Sequence, residues 1–350
     1  MIFGKLEEAK LDLFFELELD DQYLRICVPA EEITLKAPPN IIFSRETIRF
    51  FFLDRRYTLV LCKGKPVQAM CQSAEKAVPL TLVLLTERDY CSAVEEQDRM
   101  DILIEGSRYY GQNPDIKFKY SLDPEQIQKM KHTFPILETV ANKYKSDLSV
   151  MKHLLLWTGQ QLRHNGQSSH PLYRDAINLY HYALSHGGAL NCRGLAVFFC
   201  ELCLAAGLQA RYVICSQKEI KYRDCHVVTT AYASELNKWI YLDPSYCLML
   251  YDKSGNELSL MEFRSYVIRQ EPVFPNTEAR HGTYEIDFNL FCKTMVKKLY
   301  KFACPRHLFF GMDQFADDNL VYLVPDTRKY PSISCTSSCE AFWAKPITFR

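Results

Sequence analysis

Three residues, Cys192, His226 and Asp243, have the types that together make a nucleophile, a general base and an orienting acid. A thiol at a helix start faces unpaired backbone N–H groups and the positive end of the helix dipole, and both favour thiolate. An imidazole beside it can shuttle the proton, and a carboxylate on the far ring nitrogen fixes the imidazole tautomer. Together they predict acyl transfer through a thioester.

The elements around these residues account for how they could meet. From Leu195 to Ala206 only Glu201 is charged, and a helix apolar all round is buried in a core. Gly187-Gly188 lead into it, Cys192 falls at its N-cap or first turn, and Gly207 supplies the stop. Leu208–Cys215 reads as a strand, Ser216–Asp224 as a polar loop, and Cys225–Thr230 as a second strand with His226 near its start. Lys238–Asp243 is a third strand, which Pro244 ends. Helix, strand, strand, strand in this order brings Cys192, His226 and Asp243 to one edge of a sheet.

The same residues carry a resemblance. A Cys at a helix start, the strand Ala210-Arg211-Tyr212-Val213 after a glycine, His226-Val227-Val228, and Trp239 four residues before Asp243-Pro244 resemble the transglutaminase-like core. More narrowly, they are similar to bacterial transglutaminase-like domain proteins. The resemblance runs from about Trp157 to about Arg269 and implies a papain-like α+β core. It implies Cys192 as nucleophile, His226 as base and Asp243 as its orienter. The expected substrate is a peptide or protein amide, and water or an amine would resolve the thioester. Hydrolysis is favoured over crosslinking because water is always available.

An oxyanion site needs a second donor beside the Cys192 N–H, and Trp157, Gln160 and Gln161 are the candidates. His164 ends a helix in a loop able to reach the site, and Arg193 beside the nucleophile is a candidate contact for a substrate carboxylate. Arg211 reads as a structural ion-pair residue, and Cys200 and Cys203 as packing. Cys200-x-x-Cys203 has no second such pair, which argues against zinc, and no metal or cofactor is expected. The rival reading is a catalytically inactive scaffold, in which Cys192 would be sealed in the core.

The 350 residues suit two domains, and 48% hydrophobic with 24% charged residues is ordinary for a globular chain. Lys+Arg and Asp+Glu number 42 each, which leaves no net field to attract nucleic acid or an anionic membrane. Fourteen cysteines without a secretory leader pattern predict free thiols and a cytoplasmic protein. Alternating residues from Leu11 to Leu19, answered by Leu24, Ile26 and Val28, open a series of strands that includes Thr47–Leu53, Tyr57–Cys62, Leu80–Thr86, Met100–Ile104 and Ile116–Tyr120. They predict an all-β sandwich over 1–122. Asp123-Pro124 starts the helical part, giving a core over 123–285 with helices at 123–134, 136–145, 147–164 and 172–186. An extension packed on the core follows over 286–350. In it, Asn289–Ala303 reads as a helix with Lys297, Lys298 and Lys301 solvated, His307–Met312 and Asn319–Val324 as strands, and the tail from Pro331 as loose.

Overall fold

The computed structural model describes eight strands between residues 2 and 82 as backbone, and residues 99–109, 116–218, 225–282, 284–315, 319–330 and 334–346 in full. The chain divides into two compact units, Met1–Asp98 and Arg99–Arg350.

In the first unit, β1 (Ile2–Glu8), β2 (Leu11–Leu17), β3 (Tyr23–Val28) and β4 (Glu31–Lys36) pair in chain order as an antiparallel meander. The predicted pairing of the first two runs is present, with Phe14 opposite Cys27 and Leu17 opposite Leu24. Two hairpins follow, β5 (Thr47–Phe52) with β6 (Arg55–Val60) and β7 (Val67–Gln72) with β8 (Ala77–Leu82). The part of the predicted Leu80–Thr86 strand beyond residue 82 lies outside the described residues.

The second unit opens with a helix, α1 (residues 99–105), where alternation predicts a strand. Met100 and Leu103 turn inward, three residues apart, while Ile102 and Ile104 stay exposed, so the period is helical. After the short β9 (Lys119–Tyr120), Asp123 caps α2 (Pro124–Thr133) through its side chain, with Pro124 in the first turn. Then come α3 (Ile136–Lys143), α4 (Asp147–Gln161), β10 (Arg163–His164), α5 (Ala176–Ser185), β11 (Ala189–Leu190) and α6 (Cys192–Ala205). Every residue from Gly194 to Ala205 is buried. Helices α2 to α5 surround α6 in one continuous hydrophobic core.

The strands β12 (Ala210–Ser216), β13 (Cys225–Ala233), β14 (Lys238–Asp243) and β15 (Leu248–Tyr251) form the antiparallel centre of an eight-stranded sheet. Alternation divides its faces. Val227, Ala231, Ile240 and Leu242 pack against the α6 side, and Val228 and Tyr241 against the other. That second face is covered by α7 (Leu260–Ile268), which opens with a Ser259–Glu262 capping box. Next are β16 (Phe274–Pro275), β17 (Arg280–His281), β18 (Tyr284–Glu285) and α8 (Phe288–Val296).

The last segment differs most from expectation. The helix stops at Val296, and Lys301–Pro305 is instead a buried strand, β19, paired with β12. Lys298 and Lys301 are therefore buried rather than solvated. The Lys301 ammonium donates to the Lys218 carbonyl at 3.4 Å and lies 5.0 Å from the Tyr330 ring centroid, and burial lowers its pKa. The strand His307–Met312 shortens to β20 (His307–Leu308), while β21 (Leu320–Leu323) and β22 (Cys335–Thr336) complete the sheet. The tail is built rather than loose where it is described. A short helix at Cys339–Phe342 lays Phe342 and Trp343 over Arg211.

Among the described residues Arg211 has an aromatic cage rather than the expected ion pair. Its guanidinium carbon is 4.0 Å from the Trp239 ring centroid and 4.3 Å from that of Phe118, and Nη1 donates to the Phe342 carbonyl at 2.9 Å. Aromatic faces stabilise a desolvated cation, so this residue ties the last helix to β12.

Candidate active site

The start of α6 is set by Asn191 rather than by Cys192. The Asn191 side-chain oxygen accepts from the Gly194 N–H at 3.0 Å, and its amide donates to the Ser168 carbonyl at 2.9 Å. Gly187 and Gly188, both at positive φ, turn the chain into β11 and the helix. Cys192 is thus the first helical residue. Its N–H has no intrahelical acceptor, its thiol is not spent on capping, and it is only partly buried. The other end closes as a Schellman motif, with the Leu208 N–H on the Cys203 carbonyl, the Gly207 N–H on the Leu204 carbonyl, and Gly207 at φ 90°.

His226 is the second residue of β13, and Asp243 is the last of β14. Antiparallel pairing, with Thr229 opposite Leu242, places both at one end of the sheet. His226 Nε2 lies 2.6 Å from Asp243 Oδ2, and both side chains are buried. Two further donors complete the carboxylate: the Tyr241 hydroxyl reaches Oδ2 at 3.1 Å and the Ser245 N–H reaches Oδ1 at 3.0 Å. The Asp243 carboxylate is therefore bonded on both oxygens and fixed in direction.

The electrostatics follow from this. Burial works against a charged His226, but the Asp243 charge and hydrogen bond, with a smaller contribution from Cys192, raise its pKa to about 9. Burial works against a Cys192 thiolate too. Hydrogen bonds from His164 and His226, the His226 charge and the Val227 N–H outweigh it and lower the thiol to about 6. Shifts in these directions favour a thiolate–imidazolium pair near neutral pH.

His164 reaches this pair through the parallel ladder of β10 and β11. There it sits opposite Leu190, two residues before Cys192. Its Nδ1 lies 3.1 Å from Nε2 of His281. The Tyr246 ring stands among three histidines, with centroids 5.8 Å from His226, 6.1 Å from His164 and 5.3 Å from His281.

The other sequence candidates lie elsewhere. Trp157 packs into the core, edge-on to Phe134 and stacked on Phe198. Gln160 and Gln161 are exposed, and the Gln161 side-chain oxygen accepts from the Tyr180 hydroxyl at 3.4 Å. Arg193 is held by the buried Asp313, with Nε 2.8 Å from Oδ1, rather than held out for a substrate. Tyr241 and Ser245 were detectable by position, two residues either side of Asp243. Tyr246 and His281 carried no such signal, and His281 lies 117 residues from its partner His164.

Among the described residues no cluster of three or more His, Cys, Asp or Glu side chains is arranged to hold a metal ion, and the cysteines are free. No helix of the described residues is long and apolar enough to cross a membrane.

Residues 136–244, which include Cys192, His226 and Asp243, match the family model described as the transglutaminase-like superfamily. No curated protein matches the chain. Solved structures similar to it include two of bacterial origin. One, from Cytophaga hutchinsonii, is described as a "putative cysteine protease"; it is 14% identical, with 61% of this chain and 73% of that chain covered and a TM-score of 0.28. The other, from Parabacteroides distasonis, is described as a "putative protease"; it is 7% identical, with 74% of this chain and 42% of that chain covered and a TM-score of 0.24. Likeness this remote bears on no functional statement.

Proposed function

We propose that the transglutaminase-like domain at residues 136–244 works as a cysteine hydrolase acting on peptide or protein amides. The observation that carries this reading is the buried His226–Asp243 pair, 2.6 Å apart, with its imidazole coupled electrostatically to the Cys192 thiol in the first turn of α6. Cys192 Sγ attacks the amide carbonyl, and the electron pair moves onto the oxygen. In this reading the Cys192 N–H and the His164 ring N–H donate to that oxyanion. The His226 imidazolium gives its proton to the leaving amine as the C–N bond breaks, and the thioester remains. Neutral His226 then takes a proton from water, the hydroxide adds to the thioester, and the C–S bond breaks to release the acid and restore the thiolate. An amine in place of water would give transamidation, and we favour water.

We further propose that the strands in the first part of the region 1–122, where a β-sandwich is expected, form that sandwich, although residues 99–105 are helical and Lys119–Tyr120 pairs with β20.

Incubation with a peptide library and hydroxylamine tests the reading. Wild-type protein is expected to yield new carboxyl termini or side-chain acids, with hydroxamates at the same positions, by mass spectrometry. Cys192→Ala is expected to yield neither. Identical products from both proteins, or no products from wild type over a broad library, would return the chain to the scaffold reading.

A further inference from the structure

The thiol of Cys192 has two imidazoles beside it, and each imidazole has its own partner. His226 is backed by the Asp243 carboxylate. His164 is backed by a second histidine, His281, with Nδ1 of the first 3.1 Å from Nε2 of the second. A neutral imidazole carries one N–H. If the His164 N–H is to serve the sulfur, it must be on Nε2, since Nδ1 is engaged with His281. Nδ1 then accepts, and His281 Nε2–H donates. Resting on the hydrolase reading above, we propose that His281 is a positioning residue, holding His164 in the one tautomer that aims its N–H at the Cys192 sulfur and at the oxyanion formed beside it.

The surroundings of His281 suit this role. Its segment is pinned to the sheet at several points. Phe274–Pro275 pairs with β15, the Asn276 side chain brackets the Cys247 carbonyl and the Met249 N–H, and the Arg280 N–H donates to the Tyr246 carbonyl at 2.8 Å. The Tyr246 ring, 5.3 Å centroid to centroid from His281 and 6.1 Å from His164, limits how far either imidazole can swing. Partial desolvation of its ring, with a smaller contribution from His164, lowers the His281 pKa against a weaker opposing pull from Asp243, in keeping with a neutral donor. The contrast with His226 is chemical. A carboxylate backing makes an imidazole basic enough to hold a proton, whereas an imidazole backing orients its partner through a hydrogen bond. One histidine is set up to move protons and the other to donate a fixed hydrogen bond.

The test uses the full chain with nitrogen-15 histidine, comparing wild type, His281→Ala and His281→Gln, with His164→Ala to assign the signal. His281 is exposed, so its replacement does not threaten the core, and Gln keeps an N–H donor near the Nε2 position. Wild type and His281→Gln are expected to show His164 with Nε2 protonated and Nδ1 bare. His281→Ala should show mixed tautomers, together with a several-fold slower iodoacetamide alkylation of Cys192 at pH 6.5. The same His164 signals in His281→Ala as in wild type, or a wild-type His164 protonated on Nδ1, would overturn the proposal. Cys192 reacting as an ordinary thiol in wild type, while the tautomer still follows residue 281, would defeat the hydrolase reading and leave the histidine pair standing.

Discussion

Helix α6 carries three cysteines, and its first turn and its interior treat the same side chain in opposite ways. At Cys192 burial is outweighed by His164, His226 and the Val227 N–H, and the thiol falls to about 6. Two to three turns further on, Cys200 and Cys203 meet burial with little to offset it, and both thiols are pushed far up. Apolar surroundings alone make a cysteine inert; reactivity needs donors that arrive from outside the helix. Here they come from β13 and from His164 on β10, and neither is near Cys192 in sequence.

The sharpest way to break this comparison is to remove each sulfur in turn. Cys192→Ala is expected to abolish amide hydrolysis, a loss of about 10⁴-fold or more, as for other nucleophile deletions. Cys200→Ala and Cys203→Ala should keep kcat within roughly twofold. Comparable losses at all three positions, measured on the same peptide substrate, would mean that the first turn is not special.

Asp243→Asn keeps the shape of the pair and removes the charge behind His226. The imidazolium loses its main support, and Cys192 in turn loses the positive neighbour that helps lower it. A drop of about 10³–10⁴-fold in kcat is expected, as in other triads with a neutralised acid. The alkylation midpoint of Cys192 should move up at the same time. A variant with full activity would show that the 2.6 Å contact is only architectural.

The pH dependence sets the two ends of the helix apart without mutation. Alkylation of Cys192 should rise with a midpoint near 6, because the thiolate persists down to that pH, whereas Cys200 and Cys203 should stay unreactive in the native protein. Hydrolysis should follow a bell. Its acid limb lies near 6, where the thiolate is protonated, and its alkaline limb near 9, where His226 loses the proton owed to the leaving group. Mass spectrometry of the Cys192 peptide after timed alkylation reads the first, and initial rates across pH read the second. A midpoint at 8 or above would remove the thiolate–imidazolium pair from the mechanism.

How much of this was legible in the sequence depended on whether the determinant was local. The apolar run of α6, its glycine stop, the strand pattern around His226 and the Asp243-Pro244 end are all written within a few residues of each other, and the structure has those elements. Met100–Ile104 was ambiguous because five residues satisfy both a period of two and one near four. Lys301 misled because a charged residue after an amphipathic helix reads as its solvated face. Only the pairing with β12, some 85 residues earlier in the chain, makes it a buried strand. Trp157 drew attention as an N–H donor, but its ring is worth more in the core between Phe134 and Phe198. His281 had no local mark at all, since its role is defined by a contact that exists only after folding.

Glu201 gives the smallest of these effects in rate and a clear one in stability. It is the one charged residue from Leu195 to Ala206, fully buried, with Oε2 accepting from the Ala176 N–H at 2.7 Å and Oε1 from the Gly311 N–H at 2.6 Å. It thereby joins the start of α5 to the C-terminal part of the chain through the middle of α6. Burial outweighs those two donors and raises its carboxyl to about 8. The folded protein then holds a proton that the unfolded chain releases near 4.5. This group's contribution to stability is accordingly present below about 4.5 and lost as pH rises towards 8. Urea unfolding from pH 5 to 8 should show that decline, and Glu201→Ala should flatten it. The same variant leaves two buried N–H groups unpaired and is expected to cost on the order of 2–4 kcal/mol. If it unfolds like wild type at every pH, the interior of α6 is not organised by this carboxyl. If instead it loses stability while Cys192 still alkylates with a midpoint near 6, the two ends of the helix are independent: the reactive turn is set by its histidines, and the buried length by packing and one carboxyl group.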